Sequence, residues 1–270
     1  YDKLEDVVAH TVKSLERVID VTFYPVPEAR TSNMRHRPIG IGANGFHDVL
    51  FKLRQPWESA EAQQTNKDIF ESIYWAAMRA SVDLAREFGH YESFPGSPLS
   101  EGKFQFDLWG KKASDRYDWD ALREEAMLYG ARHSLLIALM PTASSAQIIG
   151  NTEGVDALTS NLYVRRVSSG EYVVMNKYLE ADLNQRGLWC EEIRELLVAH
   201  KGSVQKMPIP STLKDLYKCA FEVTHKSVLD MAIGRGPFVC QSQSMNLHIQ
   251  DTTRQKLTSS HFYAFDNGLK

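Results

Sequence analysis

Leu4, Val7, Val8, Thr11, Val12, Leu15, Val18 and Ile19 recur at intervals of one, three and four residues, the spacing that gathers them on one face of a helix. The chain is therefore expected to open with an amphipathic helix lying against a core. Pro25 and Pro27 end it, because proline lacks the amide that a continuing helix needs. The run Pro38, Ile39, Gly40, Ile41, Gly42 breaks the period and reads as a buried strand whose glycines admit a close backbone neighbour. A helix over 45–53 follows. A long one over 59–88 then places Ile69, Ile73, Ala76, Ala77, Ala80 and Leu84 on its inner face, with Gly89 as its stop. Residues 90–117, rich in glycine, proline, serine and aromatics, read as an irregular excursion before helix resumes over 119–129.

Residues 134–140 form the strongest strand pattern, a continuous apolar run suited to a strand covered on both faces in a parallel sheet. Helices over 176–186, 188–200 and 213–233 follow, the last stopped by Gly234, Gly236 and Pro237. A strand over 238–249 and a helix over 253–267 complete the pattern. Strands alternating with helices, without repeats or low-complexity linkers, make this a helix-rich α/β chain.

Composition narrows the function classes. With 270 residues, 43% hydrophobic and 24% charged, the chain can bury a substantial core. A net charge of −3 does not suit a surface built to neutralise nucleic-acid phosphates, although small nucleotides stay possible as ligands. No stretch approaches the ~20 apolar residues of a membrane span and none resembles a secretory signal, so a cytoplasmic protein is expected. Cys190, Cys219 and Cys240 lie far apart, without a Cys-x-x-Cys pair or a histidine at metal-ligand spacing, and are expected to be reduced, buried thiols. The first residue is Tyr1 and the last few break off in mid-pattern, which points to a fragment.

The chemistry concentrates where the apolar run 134–140 meets Pro141, Thr142, Ala143, Ser144 and Ser145. A buried strand, a proline-bounded turn and hydroxyls at a helix start make a sensible anion site, because the first amides of a helix are unpaired and carry partial positive charge. The same residues suit an ordinary N-cap, and the pattern alone leaves both readings open. Elsewhere Arg35, His36 and Arg37 read as a solvated or helix-capping basic turn. Glu58, Glu61, Asp107 and Asp118 read as exposed carboxylates, and the five tryptophans as packing residues. Arg165 and Arg166 are neighbours on an extended stretch, so at most one faces a common site.

The string from Met140 to Gln147 (Met-Pro-Thr-Ala-Ser-Ser-Ala-Gln), with Gly150-Asn151 and the seven residues from Ser160 to Arg166, resembles the phosphate-loop region of class I ribonucleoside-diphosphate reductase large subunits of the eukaryotic and viral type. Further strings resemble that family in the same order: 24–29, 35–42, 58–63, 186–189, 241–244 and 261–263. The resemblance implies that residues 1–270 are the C-terminal part of a ten-stranded α/β barrel. It implies that Pro141, Thr142, Ala143, Ser144 and Ser145 hold the substrate diphosphate, and that no catalytic residue lies in this piece. It further implies thiyl-radical reduction of ribonucleoside diphosphates and a large-subunit homodimer. A metal-containing small subunit would supply the radical and a thioredoxin- or glutaredoxin-type dithiol the electrons. ATP and dNTP effectors would bind outside the piece, and neither nucleic acid nor membrane is implied as a partner. The family's radical-bearing Asn-x-Cys-x-Glu loop should precede Tyr1, and none of the three cysteines here matches it. Ala264 stands where the family pattern has glycine. Two alternatives are a catalytically silent reductase-like interaction protein and an unrelated phosphate-binding α/β module with a complete sheet.

Overall fold

In the computed structural model, which describes residues 1–269, α1 (Asp2–Val21) turns the face carrying Val8, Val12 and Ile19 inward, as its period requires. The helix also buries Glu16. Next comes α2 (Pro27–His36), which has no apolar stripe and no buried residue and so leaves no periodic signature. Pro27 starts it in the position where a missing amide costs nothing, and Arg37 ends it in the left-handed region at φ 42°. Of the two expectations for the basic turn, solvated or helix-capping, Arg37 meets the second and not the first: it is the C-cap of α2, and its guanidinium is buried, 2.7 Å from Glu16 Oε1 and 2.9 Å from Asp20 Oδ1. Arg35 and His36 face Glu92 and Ser93 instead.

Helices α3 (Phe46–Leu53) and α4 (Ala60–Phe88) follow as the pattern predicts. Ser59 caps α4 by accepting the Ala62 amide at 3.1 Å, and Gly89 stops it at φ 81°. The excursion after it contains a 3-10 turn (Pro98–Glu101) and the short α5 (Gln105–Leu108) before α6 (Trp119–Tyr129). The carboxylates of this region have structural partners. Asp107 accepts the Phe104 amide, Asp118 caps α6 through the Ala121 amide, and Glu58 pairs with Lys218 and the Thr224 amide. Against α1 and α4, the core gathers Phe70, Tyr74, Trp57, Trp119, Leu122 and Ile137, each buried side chain worth roughly 1.5–3 kcal/mol.

The three predicted strands become three short parallel stretches. Ile41 bridges Ile137 and Leu139 bridges Gln243, with one bridge each instead of continuous ladders. Part of the reason is that Cys240 Sγ accepts the Leu136 and Ile137 amides, both at 3.1 Å, in place of a neighbouring carbonyl. Beyond them lie α7 (Ala143–Ile149) and an antiparallel hairpin, β1 (Leu162–Val167) and β2 (Gly170–Met175), in register from Leu162↔Met175 to Val167↔Gly170.

Then come α8 (Lys177–Gln185), α9 (Glu191–Ala199), α10 (Ser211–Leu216), α11 (His225–Arg235) and α12 (Arg254–Asp266). The single helix expected over 213–233 is two. The first ends at Leu216; in the stretch after it Glu222 takes the Cys219 amide at 2.7 Å, and Thr224 Oγ1 caps the second by accepting the Ser227 amide. A second core joins Leu179, Leu183, Leu197, Leu213 and Tyr217, with Phe51 of α3 packed into it. Cys219 is buried as expected, whereas Cys190 is exposed at the start of α9, a correction to its reading as buried.

Candidate functional site

Helix α7 begins where the backbone leaves Leu139 and turns through Met140 and Pro141. Thr142 is its N-cap, yet the Thr142 side chain does not cap it. Its Oγ1 instead accepts the Gly154 amide at 2.7 Å. The first hydrogen bond of the helix runs from Ala146 N to Thr142 O at 2.8 Å, and the amides of Ala143, Ser144 and Ser145 have no partner among the described residues. Ser144 and Ser145 are exposed, Pro141 and Ala143 likewise, and Thr142 is half-buried. The five residues marked from the sequence thus sit together at one turn that presents open amides and hydroxyls to solvent, an arrangement that attracts an anion without countercharge.

The turn is held from behind by a segment of which only Asn151 was marked from the sequence. Residues 151–158 fold back on the start of α3. Gly45 N donates to Thr152 O at 2.9 Å and Phe46 N to Gly154 O at 3.3 Å. In return the Thr152 amide reaches Asp48 Oδ2 at 2.6 Å, and the Leu158 amide reaches His47 Nδ1 at 2.9 Å. Gly154 adopts φ +47°, which a side chain would strain.

His47 is fully buried, and burial pulls its pKa down to about 3 despite the adjacent Asp48. Since Nδ1 accepts from Leu158, the ring is neutral with its hydrogen on Nε2, stacked on Phe51 at 4.1 Å between centroids. Burial, then the Asp48 carboxylate, pushes the Tyr178 phenol up to about 12.

A cavity of about 540 Å³ opens beside the C-terminal half of α7, lined by Asp48, Gln147, Thr152, Arg165 and Tyr178 among others. Arg165 faces it and bonds Tyr163 Oη at 2.9 Å, whereas Arg166 is exposed and pairs with Glu171 across the hairpin. Only one of the two arginines therefore faces the cavity, as strand alternation requires. Trp57 and Trp119 are buried packing residues. Cys219 sits apart beside Asn161, its thiol pushed up to about 12 by burial and by Glu222. Among the described residues no group of His, Cys, Asp and Glu could hold a metal, and no helix is long and apolar enough to cross a membrane.

A sequence model of the ribonucleotide reductase barrel domain matches residues 1–270. The chain belongs to that family. It is 49% identical to the ribonucleoside-diphosphate reductase large subunit of Danio rerio, covering 100% of this chain and 34% of that protein. To the large chain of Schizosaccharomyces pombe it is 50% identical, with 100% and 33% covered, and to the large subunit of Vaccinia virus 48%, with 99% and 35% covered. The chain thus spans about a third of the length of the curated relatives it matches. Among solved structures, a class Id ribonucleotide reductase alpha subunit of Actinobacillus ureae matches at a TM-score of 0.77 and 26% identity, over 99% of this chain and 44% of that one. A helix-rich piece of an α/β barrel accounts for the short, incomplete parallel sheet, and the reading as an unrelated module with a complete sheet falls away.

Proposed function

We propose that this chain is the C-terminal part of the catalytic barrel of a ribonucleotide reductase large subunit, and that Pro141, Thr142, Ala143, Ser144 and Ser145 hold the diphosphate of a ribonucleoside diphosphate. The observation that carries this reading is the turn itself. Three helix amides with no partner among the described residues lie there beside three hydroxyls, and the threonine that would ordinarily cap the helix bonds elsewhere. Such donors suit a polyanion that is bound in one step and released after turnover, since they attract charge without forming a permanent ion pair.

Within this reading the radical comes from a separate metal-containing small subunit and the electrons from a dithiol. A homodimer of large subunits is the working form. Residues of this chain bind and orient the substrate, while the groups that touch its sugar lie outside residues 1–270. No observation favours the silent interaction protein over the enzyme.

The test replaces Ser144 and Ser145 with alanine in the full-length protein and follows reduction of CDP to dCDP with the small subunit and a dithiol. Losing a donor to a charged ligand costs about 1.5–3 kcal/mol, so KM for CDP should rise by on the order of tenfold or more for each serine. An unchanged KM would leave the serines a surface role only.

A further inference from the structure

We infer that Asp48 of α3 is a positioning residue for the phosphate turn, acting through Thr152, Gly154 and Thr142; the inference rests on the reading of residues 141–145 as the diphosphate site. Threonine at an N-cap ordinarily turns its oxygen onto the second or third amide of its own helix. Had Thr142 done so, it would occupy one of the amides that the ligand needs. The Gly154 amide, 2.7 Å from Thr142 Oγ1, holds the side chain in an orientation that makes no bond to its own helix. The hydroxyl hydrogen then has no acceptor among the described residues and is left for a phosphate oxygen.

What holds Gly154 in place is the clamp on α3. Asp48 Oδ2 takes the Thr152 amide at 2.6 Å, the shortest of the bonds between the two segments, and the carboxylate makes it charge-assisted. The bonds from Gly45 to Thr152 O and from Phe46 to Gly154 O complete the grip from the backbone. Asp48 is buried and sits on the helix that links the two cores, a rigid base for a turn that is itself exposed. Its carboxylate never touches the ligand. It keeps the ligand's amides open by keeping Thr142 engaged.

The experiment uses the full-length protein with CDP as the variable substrate, and compares Asp48→Ala, Asp48→Asn and the Ser144→Ala, Ser145→Ala double variant. Loss of one charge-assisted bond should raise KM for CDP about tenfold in Asp48→Ala, with kcat little changed. Asp48→Asn should keep KM within about threefold of the parent protein, because the amide oxygen it introduces can still accept the Thr152 amide. In a Thr142→Val background, Asp48→Ala should add no further rise, since the route through Thr142 is already cut. If Asp48→Ala does not fold, Asp48→Glu keeps the charge but displaces the acceptor, and the same rise in KM is expected. A normal KM in the folded Asp48 variant, beside a raised KM in the double serine variant, overturns the positioning role and leaves the phosphate site standing. A normal KM in the double serine variant overturns the phosphate site and this inference with it. Equal effects of Asp48→Ala and Asp48→Asn, or additive effects with Thr142→Val, also overturn it.

Discussion

Two buried histidines and one buried glutamate bind protons less readily in the fold than in the unfolded chain. His47 has a pKa near 3 in the folded state because burial disfavours its charged form. At His133 the geometry sets the tautomer. Ser81 Oγ accepts the Arg132 and His133 amides, both at 3.1 Å, and so gives its own hydrogen to His133 Nδ1 at 3.0 Å. The ring hydrogen is then on Nε2, 3.0 Å from Glu16 Oε2 though not well aligned with it. Burial lowers the His133 pKa as well. Burial alone would raise the Glu16 carboxyl, but donors from His133, Arg132 and Arg37 outweigh it and hold the group at about 2. All three groups bind protons less readily folded than unfolded, so each stabilises at high pH and loses that contribution as pH falls. His47 acts from 6.5 down to about 3 and Glu16 from 4.5 down to about 2. A shift of the His47 size is worth roughly 5 kcal/mol at its limit. Melting temperature should therefore begin to fall just below pH 6.5. His47→Asn, whose amide oxygen can take the Leu158 bond without titrating, should reduce the slope between pH 6.5 and 4.5, leaving the share that His133 contributes below pH 6.5. An unchanged slope there would remove His47 from the account.

Among the elements, those with one buried face were legible in the sequence and those stabilised by single polar contacts were not. The stripes of α1, α3, α4 and α6 repeat apolar residues because one side of each packs on the core, and the limits of α3, α4 and α6 came out nearly as observed, whereas α1 ends at Val21, before the proline pair read as its stop. Without such a stripe α2 went unread, and Pro27, read as the end of α1, is in fact its first residue. The stretch between α10 and α11 is held by side-chain bonds, Glu222 to the Cys219 amide and Thr224 to the Ser227 amide, which periodicity cannot register. The extended stretch at Arg165 and Arg166 was read, but its partner β2 and the hairpin were missed: the pair is largely exposed, and its cue was the Ser168-Ser169-Gly170 turn. At the candidate site the turn residues were legible as a string, whereas Asp48 and Gly154 act across more than a hundred and about a dozen positions respectively. The three predicted strands were located correctly but overstated, in part because a thiol occupies the amides of Leu136 and Ile137. That substitution can be tested. Cys240→Ala should leave two backbone donors unsatisfied at a cost of about 1–3 kcal/mol each, and Cys240→Ser should recover part of it because a hydroxyl can accept both. Equal melting temperatures for the Ala and Ser variants would mean that the thiol only fills space.

At the scale of the whole molecule, the chain exposes more surface than a self-sufficient domain of its mass. Its accessible area is 14965 Å² for 30.7 kDa, whereas a folded monomer of that mass should expose roughly 11,900 Å². The excess, on the order of 3,000 Å², is the size of a permanent interface. Its chemistry agrees, since Ile148 of α7 is 87% exposed, Val173 of β2 72% and Phe265 of α12 76%. The parallel stretches at 39–41 and 243 also have no described strand on their outer sides. Two effects compete when the chain stands alone. Very short edge strands resist pairing with strangers, which favours a monomer. Exposed apolar area, at roughly 25 cal/mol per Å², favours association and should win over an excess this large. Expressed by itself, the 270-residue chain should therefore associate, its mass by light scattering rising with concentration. Co-production with the rest of the reading frame should abolish that rise by covering the same surface. A monodisperse monomer at every concentration would show that the exposed faces are tolerated by solvent, and that the surplus area reflects an open shape instead of an uncovered interface.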